Sequence, residues 1–251
     1  MTNWPSALTR FARADAELVA ERSMQQRSES KFVVTDATAA AFVLALQERF
    51  AVLPAGAALA ADYRSLYFDT DDLSFFHAHR CGRRVRHKVR VRHYADRALS
   101  VLEVKSRRSE HQTVKCFRPR EYGTNGLGSD DLAFVREQCG PVGELLPQAW
   151  VAYRRVTLVG LKSPERVTLD LELDMWRASG HGQLERIVVI EVKQPRVDHS
   201  SDAMRALRAA GGRQAWMSKY CTAIALTSPD VRANHFINRI RHLTTVSTWT
   251  H

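Results

Sequence analysis

The sequence predicts an α+β domain built on an antiparallel sheet of eight strands curled into a tunnel, with helices flanking it. Three observations lead there. From Glu29 onward the chain is a series of short segments whose apolar and polar residues alternate with period two, the spacing of β-strands. A few segments with helical start and stop residues interrupt that series. The alternation also places charged groups, rather than a mixture of small polar ones, along one face of strand after strand.

The bounds agree with one large domain. A chain of 251 residues can bury a full core, and its net charge of +10 asks for a polyanionic partner: nucleic acid, a lipid surface or a phosphorylated small molecule. Cys81, Cys116, Cys139 and Cys221 form no C-x-x-C pair, which excludes a zinc knuckle and a disulfide framework and fits reduced thiols in the cytoplasm. No apolar run reaches the roughly 20 residues that span a bilayer, and no signal peptide opens the chain, so a soluble protein without transmembrane segments is expected.

In chain order, residues 1–27 carry Leu8, Phe11, Leu18, Val19 and Met24 among charges and predict an amphipathic helical extension. The main domain, 28–228, holds eight strand segments: ESKFVV, YRSLYFD, RRVRHKVRVRHY, SVLEVKS, TVKCF, WVAYRRVTL, RVTLDLELD and RIVVIEVK. Helices are expected after a Thr35 or Asp36 cap, between a Ser129 cap and Gly140, and over SSDAMRALRAAGG. Residues 229–251 give a last helix and tail, capped by Ser228 with Pro229 in the first turn. His77 and His79 have the spacing of a strand pair but no third ligand, so they read as surface groups.

Charge placement carries the functional reading. Arg84, Arg86, Lys88, Arg90, Arg92 and Tyr94 share one side of their strand, with Val85, Val89 and Val91 opposite. Arg166, Thr168, Asp170, Glu172 and Asp174 likewise face away from Val167, Leu169, Leu171 and Leu173. Glu103 and Lys105, Glu191 and Lys193, and Glu29 and Lys31 form three further same-face pairs. Like charges in register repel unless opposite charge sits among them, and a closed tunnel with these faces inward supplies both. Such a lumen fits a polyphosphate, with carboxylates to hold a divalent cation. Nucleic acid is not expected, because Tyr94 is the only aromatic on the cationic face.

The motif order E-x-K-F (Glu29–Phe32), S-L-Y-F-D-T (Ser65–Thr70), R-x-K-x-R-x-R-x-Y (Arg86–Tyr94), L-E-V-K (Leu102–Lys105), Y-R-R (Tyr153–Arg155), R-V-T-L-D (Arg166–Asp170), I-E-V-K (Ile190–Lys193) and S-K-Y-C (Ser218–Cys221) resembles the VTC domain. That domain is the polyphosphate polymerase module of the vacuolar transporter chaperone family, in the triphosphate tunnel metalloenzyme superfamily. The fungal members' SPX domain and membrane helices have no counterpart here, so a stand-alone bacterial-type member is the better comparison.

The resemblance implies an enzyme that transfers the γ-phosphate of ATP to inorganic polyphosphate with Mn2+ or Mg2+. By resemblance, Lys31, Arg90, Arg92, Lys105, Arg155, Lys193 and Lys219 hold phosphates, Tyr153 lines the tunnel, and Ser218 sits beside Lys219 near the transferred group. Arg86, Lys88 and Lys115 join the phosphate-binding candidates. Glu191 is the implied metal ligand, with Glu103, Asp170 and Glu172 as further carboxylates. With water as acceptor the same apparatus is a triphosphatase, and with no chemistry it is a polyanion-binding protein.

Overall fold

A computed structural model describes residues 4–23, 28–109 and 112–232. Eleven strands run in chain order as β1 (Ala12–Arg13), β2 (Ser28–Thr35), β3 (Phe50–Val52), β4 (Ala61–Asp69), β5 (Arg86–Tyr94), β6 (Leu99–Arg107), β7 (Thr113–Arg120), β8 (Leu146–Gly160), β9 (Arg166–Arg177), β10 (Gly180–Leu184) and β11 (Ile187–Gln194). The helices are α1 (Ala16–Glu21), α2 (Asp36–Leu46), α3 (Ser74–Arg80), α4 (Ser129–Cys139), α5 (Asp202–Ala209) and α6 (Lys219–Thr227). The eight expected strands form one antiparallel path, β2-β11-β9-β8-β4-β5-β6-β7, with β1, β3 and β10 added beside it.

The sheet curls but does not close, which corrects the expected closed barrel: β2 and β7 remain its two ends. The cause is local. The segment leading into α6 runs along the free side of β2, where Phe32 bridges to Gln214 and the Ala215 N–H donates to the Lys31 carbonyl at 2.8 Å. This occupies backbone groups that β7 would need. Even so, Lys31 from one end strand and Lys115 from the other line a single cavity, so the charged faces do converge.

The aliphatic faces pack outward as the alternation requires. Val89, Val91, Leu102 and Val104 meet Val135 of α4 and Phe75 of α3. On the far side Leu158, Leu169 and Ile190 meet Phe42 and Leu46 of α2 and Leu207 of α5. Each such fully buried side chain contributes about 1.5–3 kcal/mol. Val85 lies outside this layer, half exposed, because the strand begins only at Arg86. Arg84 therefore precedes the row of cations instead of starting it.

Several ends follow local chemistry. Thr35 caps α2 by accepting from the Thr38 N–H at 3.3 Å, and Ser201 caps α5. At α4 the cap is Gly128 rather than Ser129, because the Asp131 carboxylate accepts the Gly128 N–H at 3.0 Å. The pair His77 and His79 stands on α3, not on a strand. That turn forms because fully buried Asp69 accepts the N–H groups of Phe75 and Phe76, each at 2.9 Å. His79 Nε2 instead meets the His87 carbonyl at 3.1 Å.

The predicted amino-terminal helix is a 3-10 turn (Trp4–Arg10), then β1, then the short α1. Its apolar groups Trp4, Leu8 and Phe11 bury against the α2 layer, and Trp4 Nε1 donates to Asp36 at 2.6 Å. The expected final helix lies mostly outside the described residues, which end at 232.

One helix was not anticipated. α6 packs on the concave face, where Tyr220 and Ile224 meet Val33, Val151, Leu173, Met175 and Val189. Tyr220 donates to Asp69 at 2.5 Å, so the carboxylate that starts α3 also fixes α6.

Candidate active site

Beside α6 the concave face holds a cavity of about 190 Å³. Lys88, Arg90 and Arg92 reach it from β5, Glu103 and Lys105 from β6, Lys115 from β7, and Lys31 with Glu29 from β2. Glu191 and Lys193 come from β11, Tyr153 and Arg155 from β8, and Ser218 and Lys219 from the start of α6. Nine cations face three carboxylates in this lining.

Three buried carboxylates organise the cations. Glu103 accepts from Arg90 Nε at 2.8 Å, and lies 3.5 Å from Arg92 and 3.4 Å from Lys115. Asp170, fully buried just behind the lining, takes Arg155 through both oxygens at 2.6 and 2.8 Å and also pairs with Lys219. Glu191 accepts from Lys31 at 2.7 Å and lies 3.4 Å from Lys193. Burial pushes the Glu103 carboxyl up, but Arg90, Arg92 and Lys115 outweigh it and hold it well below the usual carboxylate range. Glu191 and Asp170 are likewise held low against their burial, by Lys31 and by Arg155 first.

The lysines show the opposite tension. Burial, reinforced by the neighbouring Lys31, Lys105 and Arg90 charges, pushes Lys88 down to about 7. Burial also lowers Lys115 and Lys193, each to about 8, against the pull of Glu103 and Glu191. Lys88 has no ion pair or hydrogen bond among the described residues. The buried Tyr153 hydroxyl is also unpartnered among them, and its ring stacks on Tyr63 at 5.3 Å beneath Lys219.

Two candidates lie elsewhere. Arg86 keeps the parity of Lys88 but sits beyond the lining at the strand end, where it donates to the Arg83 carbonyl at 2.9 Å. Glu172 is corrected more sharply. The register of β8 and β9 shifts between Ala152 and Arg154, and Glu172 takes a left-handed φ of 52°. This bulge breaks the alternation: Leu171 packs outward, Leu173 inward, and Glu172 turns to the outer surface to meet Arg154 at 3.3 Å. Asp174 also ends outside, against His181.

Two lining groups were given no role from sequence: Glu29, named there only as the same-face partner of Lys31, and Tyr67. Glu29 borders the cavity, and the Tyr67 hydroxyl accepts from Arg90 at 2.8 Å. Both share parity with named residues, Lys31 and Ser65, so alternation contained the signal. Ser218 is 4% exposed, and its hydroxyl caps α6 by accepting from the Cys221 N–H at 3.4 Å.

Among the described residues no three His, Cys, Asp or Glu side chains cluster as a ready-made metal cage. The donor set nevertheless suits a hard divalent ion, which is commonly held by one or two carboxylates and completed by substrate phosphates.

A curled antiparallel sheet whose concave face presents this cation-lined cavity defines a triphosphate-tunnel protein. The profile of the VTC domain matches residues 26–122 and 137–228, so the chain belongs to the VTC domain family, within the triphosphate tunnel metalloenzymes, whose members use divalent metal ions. No curated protein sequence is significantly similar to it. Among solved structures, a candidate adenylate cyclase from Bacillus halodurans is 13% identical with a TM-score of 0.47, covering 77% of this chain and 94% of its own. A candidate adenylyl cyclase from Hippeastrum, described as having dominant triphosphatase activity, is 16% identical with a TM-score of 0.46 over 78% and 94%. No helix among the described residues is long and apolar enough to cross a membrane.

Proposed function

We propose that the cavity transfers the γ-phosphate of ATP to a growing inorganic polyphosphate, in the cytoplasm and with Mn2+ or Mg2+. The carrying observation is the lining of nine cations against three carboxylates, with Asp170 behind it, an excess of positive charge that a polyanion would relieve. Phosphoryl transfer asks the protein for positioning and charge neutralisation more than for a nucleophile. Arg90 and Arg92, oriented by Glu103, offer forked donors to phosphate oxygens. Lys31, Lys88, Lys105, Lys115, Lys193 and Lys219 supply point charges along the chain, and Arg155, held by Asp170, closes the far wall. Glu191 would hold the metal, which would supply positive charge to neutralise the phosphates. Ser218 acts by fixing the start of α6, and with it Lys219, at the edge of the cavity.

A second reading, hydrolysis of short triphosphates, is favoured by one observation. Beyond Tyr67 and Met217 the concave face is filled by α6, leaving room for a short phosphate chain. Incubating the purified chain with ATP and Mn2+ or Mg2+ separates the two. Long-chain polyphosphate supports the polymerase, free phosphate alone supports the hydrolase, and no turnover of either ATP or tripolyphosphate overturns both.

A further inference from the structure

Because the sheet stays open, the inner face of its end strand β7 is uncovered. Thr113, Lys115, Phe117 and Pro119 alternate along that face, and all four are exposed. Lys115 belongs to the cavity lining, and Phe117 stands one step beyond it on the same face.

A bare phenyl ring is out of place beside a phosphate lining. Phe117 is 54% exposed, and in the ladder it stands directly opposite Glu103 of β6. The Lys115 ammonium lies over its ring, 4.5 Å from the centre, and 3.4 Å from the Glu103 carboxylate. From the other side of Glu103, on β5, the Tyr94 hydroxyl donates to the same carboxylate at 3.3 Å. Tyr94 is backed by Tyr63, edge-on with centroids 5.2 Å apart, and the Arg92 guanidinium lies 5.9 Å from its ring. Two aromatic rings thus flank the carboxylate that orients Arg90 and Arg92. An inorganic phosphate chain gains nothing from an exposed phenyl ring.

We propose that this aromatic rim binds the nucleobase of a nucleoside triphosphate whose phosphates lie in the cavity, with Phe117 as the residue that distinguishes it from inorganic tripolyphosphate. The proposal rests on the triphosphate reading of the lumen. A nucleobase is a flat π surface that stacks on an aromatic side chain whatever its sequence identity, and one uncovered ring is enough to receive it. Lys115 joins the two chemistries, since it touches Phe117 on one side and Glu103 on the other. A nucleotide stacked on Phe117 therefore presents its first phosphate to Lys115 and the rest of its chain to the deeper cations. Tripolyphosphate fills the cavity and leaves the rim bare.

The test measures two ligands on the full chain by calorimetry with Mg2+: tripolyphosphate, and the β,γ-imido analogue of ATP, which resists hydrolysis. In Phe117→Ala the affinity for the ATP analogue, taken relative to that for tripolyphosphate, is expected to fall about fivefold or more, as loss of a stacking surface implies. Phe117→Tyr, which keeps the ring, retains the wild-type ratio. Melting curves confirm folding, and sedimentation reports the oligomeric state. The proposal is overturned by an unchanged ratio in Phe117→Ala, by equal loss of both ligands, which would make Phe117 a support for Lys115 alone, or by a dimer that falls to monomers in this variant, which would assign the rim to a second copy of the chain. Absence of tripolyphosphate binding to the wild type would overturn the lumen reading and this proposal with it.

Discussion

The two halves of the concave face are made by the same strands and differ in everything else. On β11, Glu191 and Lys193 line the cavity while Val189, of the same parity, stands at the border, touching the cavity and packing under α6. On β2 the change comes between Lys31 and Val33, and on β8 between Arg155 and Val151, with Tyr153 at the border. One half is complete without ligand; the other holds charges that lack enough partners. Stability and function are thus divided along each strand rather than between elements.

The largest expected effect comes from Glu103, which alone compensates three cations. Glu103→Gln leaves Arg90, Arg92 and Lys115 without it and costs about 3–5 kcal/mol in chemical denaturation. Because the loss is unpaired positive charge, saturating tripolyphosphate restores part of it. Leu173→Ala, on the apolar half, costs about 2–5 kcal/mol through the cavity it opens under α6. Tripolyphosphate stabilises that variant only as much as wild type. Equal rescue of the two variants would erase the proposed division.

Arg90→Ala leaves Glu103 still paired with Arg92 and Lys115, so the melting point stays close to wild type. Its turnover of triphosphate drops about tenfold or more, as loss of a charge-assisted donor worth about 1.5–3 kcal/mol implies. An unchanged rate at saturating substrate would remove Arg90 from the reacting phosphates.

The pH dependence is gentler and has a definite sign. Lys88 titrates at about 7 and Lys115 and Lys193 at about 8 in the folded chain, all below the 10.5 of a free lysine. Between those values the unfolded chain holds protons that the folded chain has shed, so the contribution of these groups to stability rises with pH across that window. Binding a polyanion restores the protons. Tripolyphosphate should therefore bind with proton uptake near pH 8 and more weakly above it, as calorimetry in buffers of different ionisation heat will show. Uptake that persists undiminished in Lys88→Met would exclude that residue.

The smallest effect tests the bulge. Glu172→Gln removes an exposed pair worth about 0–1 kcal/mol, and metal dependence and turnover should not move. A raised metal requirement would return Glu172 to the lumen.

Alternation made the charged half legible, since Lys88, Arg90 and Arg92 on β5 and the pairs on β6 and β11 need only period two to be grouped. Glu172 was misplaced because one extra residue in a strand leaves no mark when the strand continues to alternate. The helix α6 escaped notice for a related reason. Tyr220 through Ala225 are all buried, so the segment has no polar face and no 3.6-residue period to detect. The open seam was equally silent, because it depends on where residues 214 and 215 lie against β2.

That seam belongs to a strand with a long wait. β2 is made early, yet its ladder partner is β11, and the pair Lys31 and Glu191 stands 160 positions apart. While the ribosome adds the intervening residues, α2 is at hand to pack on Phe32 and Val34, but Val33 lacks the β11 and α6 groups that cover it and the strand lacks its ladder partner. Contacts of such long span also slow the search for the native state. The nascent chain therefore passes through a period when its first long strand has no ladder partner, and the phosphate cavity cannot form until β11 and Lys219 have been made.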